Sequence, residues 1–98
     1  MTDADASVSE AARHWRRAAL ASGLSSLERL DHIRRGLDAV DIALGIDDRS
    51  VDALAFKHLL LRLAASLDPA NQEALLARAE EARTRALALQ KARLAGLI

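Results

Sequence analysis

Apolar residues recur at helical spacing along nearly the whole chain, in four segments with cap signals between them. In residues 7–22, Val8, Ala11, Ala12, Trp15, Ala18 and Ala19 fall at intervals of three and four, which places them on one helix face. Arg13, Arg16 and Arg17 fall off that stripe. Ser7 and Glu10 have the S-x-x-E spacing of a capping box, in which a hydroxyl and a carboxylate satisfy two orphan N–H groups. Gly23 follows, a residue that takes the left-handed C′ conformation without a Cβ penalty. Residues 1–6 have nothing to bury and are expected to form a disordered N-terminal tail, leaving residues 7–98 as a single helical domain.

The second segment, residues 26–44, repeats the capping box with Ser25 and Glu28. Leu27, Leu30, Ile33, Leu37, Val40 and Leu44 make the cleanest stripe in the chain, and Gly45 is the expected stop. Gly36 lies inside this helix, where Gly costs about 1 kcal/mol relative to Ala; a close approach by another helix explains it. The third segment, residues 49–67, can be capped by Asp47, Asp48 or Ser50. Its main stripe is Phe56, Leu59, Leu60, Leu63 and Leu67, widened by Leu54 and Ala64, with Leu61 outside it. The broad apolar arc predicts the most buried helix of the four. Asp68 followed by Pro69 starts the fourth segment, residues 69–94. Its inward stripe is Leu75, Ala79, Ala82, Ala86, Leu89 and Arg93, and residues 95–98 are expected to fray. The joints are short, so successive helices pack antiparallel. The fold class is all-α, as two stacked helical hairpins or as a closed four-helix bundle.

Composition narrows this further. Ala and Leu supply 40 of the 98 residues, whereas Val occurs three times, Thr twice and Tyr not at all. That balance favours helix over a β-sandwich or barrel. With no Cys, disulfide scaffolds and thiolate zinc sites are excluded. The longest run of large apolar residues is Leu59–Leu61, and with Ala included no run exceeds four residues, far fewer than the ~18 of a membrane span. The acidic start, Met1-Thr-Asp-Ala-Asp, has neither the basic region nor the apolar run of a signal peptide. A cytoplasmic location is expected.

The stretch from Gly36 to Ala55 resembles the junction between tetratricopeptide repeats. There, a helix of pattern A-x-x-x-F-x-x-A-x-x-x-x-P ends before the next begins. Gly36 takes the small position, Val40 the large one, Ala43 the second small one and Asp48 that of proline. Leu61, Ala64 and Pro69 repeat the pattern, with Lys57 at the first small position, and Leu67-Asp-Pro-Ala-Asn71 is similar to the family's turn. The run from Lys57 to Ala64 also resembles the closing segment of some bacterial proteins of this type. Asp48 and Pro69 are 21 residues apart, against the family's repeat of about 34. The resemblance, from Ser25 to Arg83, is thus to a short, degenerate member. It implies helical hairpins that mediate protein contacts, and it brings no catalytic residues.

Charge is balanced overall, with 14 basic and 14 acidic residues, but unevenly distributed. Residues 13–35 carry six Arg against Glu28 and Asp31, and residues 38–52 carry five Asp against Arg49. One reading of the first cluster is a small helical DNA-binding regulator, in which Arg13, Arg16, Arg17, Arg29, Arg34 and Arg35 track phosphates beside Trp15. Zero net charge argues against it. His14, His32 and His58 stand singly on three helices, without the i, i+4 pairing of a zinc helix. No Gly-rich phosphate loop is present, and Ser25-Ser26 is explained as a cap. No metal, cofactor or catalytic residue is expected. The expected function is a non-catalytic protein–protein interaction module, an adaptor or accessory subunit. Its partner would be another protein, such as an enzyme encoded nearby, or a second copy of the chain. If the first and third helices line a groove, Arg16, Arg17, Lys57, His58 and Arg62 are the candidate partner-binding residues, suited to an acidic peptide.

Overall fold

The computed structural model describes residues 3–96. Four helices carry the fold: α1 (Asp3–Leu20), α2 (Ser26–Ile46), α3 (Val51–Leu67) and α4 (Gln72–Leu94), with a 3-10 turn at Pro69–Asn71 before α4. Among the described residues there is no strand. Cross-links show both hairpins to be antiparallel. Arg29 of α2 bonds Ala18 of α1 while His32, further along α2, meets His14, further back along α1. In the second hairpin Gln72 bonds Ala65 and His58 bonds Ala79.

The two hairpins stack through α3. That helix packs against α1, α2 and α4, whereas α4 packs only on α3 and the turn before it. Among the described residues no α1–α4 contact closes a ring, an arrangement that suits two stacked hairpins joined through α3. The molecule measures 44 × 30 × 20 Å, and its thinnest dimension is about two helix diameters.

Ser25 caps α2 as its spacing requires. The Glu28 N–H donates to Ser25 Oγ at 3.1 Å, and the Ser25 N–H donates to Glu28 Oε1 at 3.1 Å. Ser50, of the three cap candidates, receives the Ala53 N–H at 3.1 Å and starts α3. Gly23 takes φ +80°, the left-handed region that favours glycine.

Other expectations move. Helix α1 begins at Asp3, not at Ser7, so residues 3–6 are helical rather than a disordered tail; Met1 and Thr2 lie outside the described residues. Asp3 and Asp5 favour the positive helix start, and Ala4 is buried. Gly45 does not end α2, which continues to Ile46. Asp68 makes no side-chain cap bond; Pro69 starts a 3-10 turn and the α-helix begins only at Gln72. At the C-terminus Ala95 and Gly96 form a turn, and the rest of the expected fraying segment lies outside the described residues.

The buried seam of α2 is Ile33, Gly36, Ala39, Val40 and Ala43, one step round from the expected leucine stripe. Leu30, Leu37 and Leu44 become half-buried flanks, and Leu27 is 79% exposed. Close helix approach explains the shift. A Cβ on Gly36 would meet Leu60 Cδ1 at 2.9 Å and His14 Cβ at 3.4 Å, so α1 and α3 both press on this point of α2. Leu61, outside the expected stripe of α3, is fully buried. It cannot serve as an exposed contact between copies. A helix wrapped on three sides buries a wider arc than one stripe, and both Leu60 and Leu61 lie within it.

Candidate functional site

Two polar features are built by the packing. The first lies between α1 and α2. His14, only 7% exposed, places its Nδ1 3.0 Å from His32 Nδ1. One ring must donate and the other accept, so the pair holds together only while at least one is neutral. Glu10 Oε1 lies 3.8 Å from His14 Nε2. Burial, then the neighbouring His32 and Arg13, lower the His14 pKa below the ordinary histidine value, with Glu10 opposing. Beside the pair is an open cleft of about 410 Å³ lined in part by Glu10, Arg13, Arg34, Arg35 and Asp38. It offers proton acceptors, but no Ser or Thr lines it to be activated as a nucleophile.

The second feature lies between α3 and α4. Leu54 and Ala82, both buried, make its floor, and Lys57, Arg78 and Arg85 stand around it with Glu81. Its volume is about 70 Å³. Arg85 is pinned there by a 2.6 Å bond from Nη2 to the Asp48 carbonyl in the α2–α3 loop.

The residues expected to form one groove fall in different places. Arg16 lines a shallow depression formed by α1 alone, with Ala6, Ser9, Glu10 and Arg13. Arg17 is exposed in the last turn of α1. Lys57 belongs to the α3–α4 cleft. His58 turns inward, its Nδ1 donating to the Ala79 carbonyl at 3.1 Å, and so helps join the second hairpin. Arg62 is exposed on α3 and lines none of these clefts.

The Arg13–Arg35 cluster is also divided. Arg29 donates to the Ala18 and Ala21 carbonyls at 2.6 and 3.1 Å, which satisfies the end of α1. Arg34 and Arg35 each bond Asp31 at 2.9 Å, and Arg13 lies 3.8 Å from Glu10. Asp31 is held below the usual carboxylate range by its Arg34 bond, and Glu28 by its bonds to Ser25. Trp15 packs against Phe56, ring centroids 6.3 Å apart, in the α1–α3 contact.

Arg78 and Arg85 were not among the residues expected to act. Each is an ordinary exposed residue of an Ala-rich helix in the sequence, and only the α3–α4 packing brings them to Lys57. Among the described residues no three His, Asp or Glu side chains are grouped to hold a metal ion, and no helix is long and apolar enough to cross a membrane. Comparison with protein-family models, with curated proteins and with solved structures finds no match to this chain.

Proposed function

We propose that the chain is a non-catalytic protein–protein interaction module, an accessory subunit built from two tetratricopeptide-like hairpins. One observation carries the reading: among the described residues α4 packs on no helix but α3 and the short turn before it. Its buried seam is three alanines, Ala79, Ala82 and Ala86. On one flank of that seam Leu76, Leu87 and Leu94 are 42%, 49% and 83% exposed. Spacings of eleven and seven residues put these three leucines on a single stripe, about a quarter-turn from the alanines. A hairpin stack buries one face of its last helix, and a terminal hairpin that stands alone needs a polar outer side. Here the flank beside the buried seam carries an exposed apolar stripe, which suits a further protein surface laid along α4.

The phosphate-tracking alternative loses support because four of its six arginines lie against the protein's own acids or carbonyls.

A photo-crosslinking residue at position 87, introduced in the native cell, tests the proposal. The expected product is one discrete adduct with a second polypeptide, absent when the residue is placed at exposed Ser66 of α3. Recovery of uncrosslinked protein alone contradicts it.

A further inference from the structure

The geometry points to the α3–α4 cleft as a carboxylate-binding site that takes an Asp or Glu side chain of the partner. This rests on the interaction-module reading and names the chemistry of the partner segment. Lys57, Arg78 and Arg85 surround a space of about 70 Å³, against the single acid Glu81. Unlike Arg13, Arg34, Arg35 and Arg83, which each lie within 4 Å of a carboxylate, the Lys57 and Arg78 side chains have no hydrogen bond or ion pair among the described residues. Two cations thus stand without an ion pair, with Glu81 the one acid in the cleft, beside a third whose guanidinium is fixed on the Asp48 carbonyl.

The floor strengthens the site. Leu54 and Ala82 are 2% and 4% exposed, so an anion seated on them has protein rather than water on one side. Charge attraction rises as the surroundings become less polar. The small volume suits a carboxylate and its methylene. Around α4, Arg78, Glu81 and Arg85 lie on one flank of the alanine seam, and the exposed leucine stripe lies on the other. A partner segment crossing α4 near its middle would meet leucines on one side and cations on the other. An amphipathic acidic segment has that pattern.

The experiment uses fluorescein-labelled hexaglutamate and the full chain, with binding read by anisotropy at low and physiological salt. Reversing Lys57→Glu and Arg78→Glu together should weaken binding by about tenfold or more, a change of about 1.4 kcal/mol. The milder pair Lys57→Gln and Arg78→Gln should weaken it less, with the helical circular dichroism of both variants that of the parent. Arg16→Glu with Arg17→Glu alters net charge equally but lies on α1. If that pair weakens binding as much, the overall field and not the cleft is responsible, and the proposal fails. It fails too if hexaglutamate does not bind, or if inorganic phosphate displaces the peptide at equal concentration of charge, which marks a site for free oxyanions. The crosslink at position 87 is on the opposite flank of α4. An adduct there without peptide binding at the cleft overturns this proposal and leaves the module reading standing.

Discussion

His14 Nδ1 lies 3.0 Å from His32 Nδ1 across the first hairpin, with His14 buried and His32 half-buried. A hydrogen bond between two imidazoles requires a lone pair on one of them. Double protonation replaces that bond with two like charges about 3 Å apart, in a setting that contains Arg13 and Arg35, with Glu10 opposing them. The contact is therefore a pH-sensitive joint between α1 and α2.

The sign follows from the His14 shift. Its folded pKa lies below the unfolded value of about 6.5, so the unfolded chain binds more protons as pH falls. Stability is full above about pH 6.5 and decreases as pH falls through that value toward the folded pKa. Thermal melts at pH 7.5 and 5.5 should give the lower Tm at the lower pH. His14→Asn should flatten that difference. An equal slope in the variant would place the titration elsewhere.

Gly36 and Gly45 lie in the same helix with opposite surroundings. At Gly36 an added Cβ meets buried Leu60 at 2.9 Å, whereas at Gly45 nothing lies within 4 Å. Gly45→Ala should stabilise by about 0.5–1 kcal/mol through helix propensity. Gly36→Ala should destabilise by about 1 kcal/mol, because overpacking of about 1–3 kcal/mol exceeds the propensity gain. Shortening the obstructing side chain with Leu60→Val should reverse the sign at Gly36. Chemical denaturation of the four variants measures this, and a stabilising Gly36→Ala in the parent would disprove the close approach.

Ser25→Ala should cost about 1 kcal/mol, because it removes the acceptor for the Glu28 N–H. Loss of partner binding at unchanged stability would show that the hydroxyl acts outside the cap.

Arg29 closes the end of α1 from α2. Arg29→Ala should destabilise by about 1.5–3 kcal/mol, the range for hydrogen bonds made by charged groups, and Arg29→Lys should recover only part. Hydrogen exchange should show faster amides in the last turn of α1 in both. Unchanged exchange there would mean that water satisfies those carbonyls equally well.

Helix number, the Ser25 box and the alanine seam of α4 could be read from local sequence because each depends on residues within a few positions. Contacts between helices could not, since they depend on hairpin register. Even so, the register has a sequence signal. His14 lies nine residues before Gly23 and His32 nine after it, so an antiparallel hairpin turning at that glycine brings them level. His58 and Ala79 are likewise equidistant from the joint between Asp68 and Pro69. Leu27 is exposed because a periodic stripe gives the apolar direction of a helix, not which part of it a neighbour covers. Gly36, Ala39 and Ala43 are small enough to let α1 and α3 close over them, so the seam formed there. Lys57 lies in the α3–α4 cleft, and Arg78 and Arg85 reach it from α4, a helix outside the expected groove.

The proposed role of α4 is to present a docking face to another protein. Its most direct test is the mass of the particle isolated under native conditions from the source cell, with the tagged chain compared to its Leu76→Glu, Leu87→Glu variant. The expected particle is a complex of fixed stoichiometry, well above the 10.6 kDa of the chain, that the double variant reduces to free monomer of unchanged helicity. A parent recovered as a 10.6 kDa monomer, or a complex that survives both substitutions intact, would contradict it.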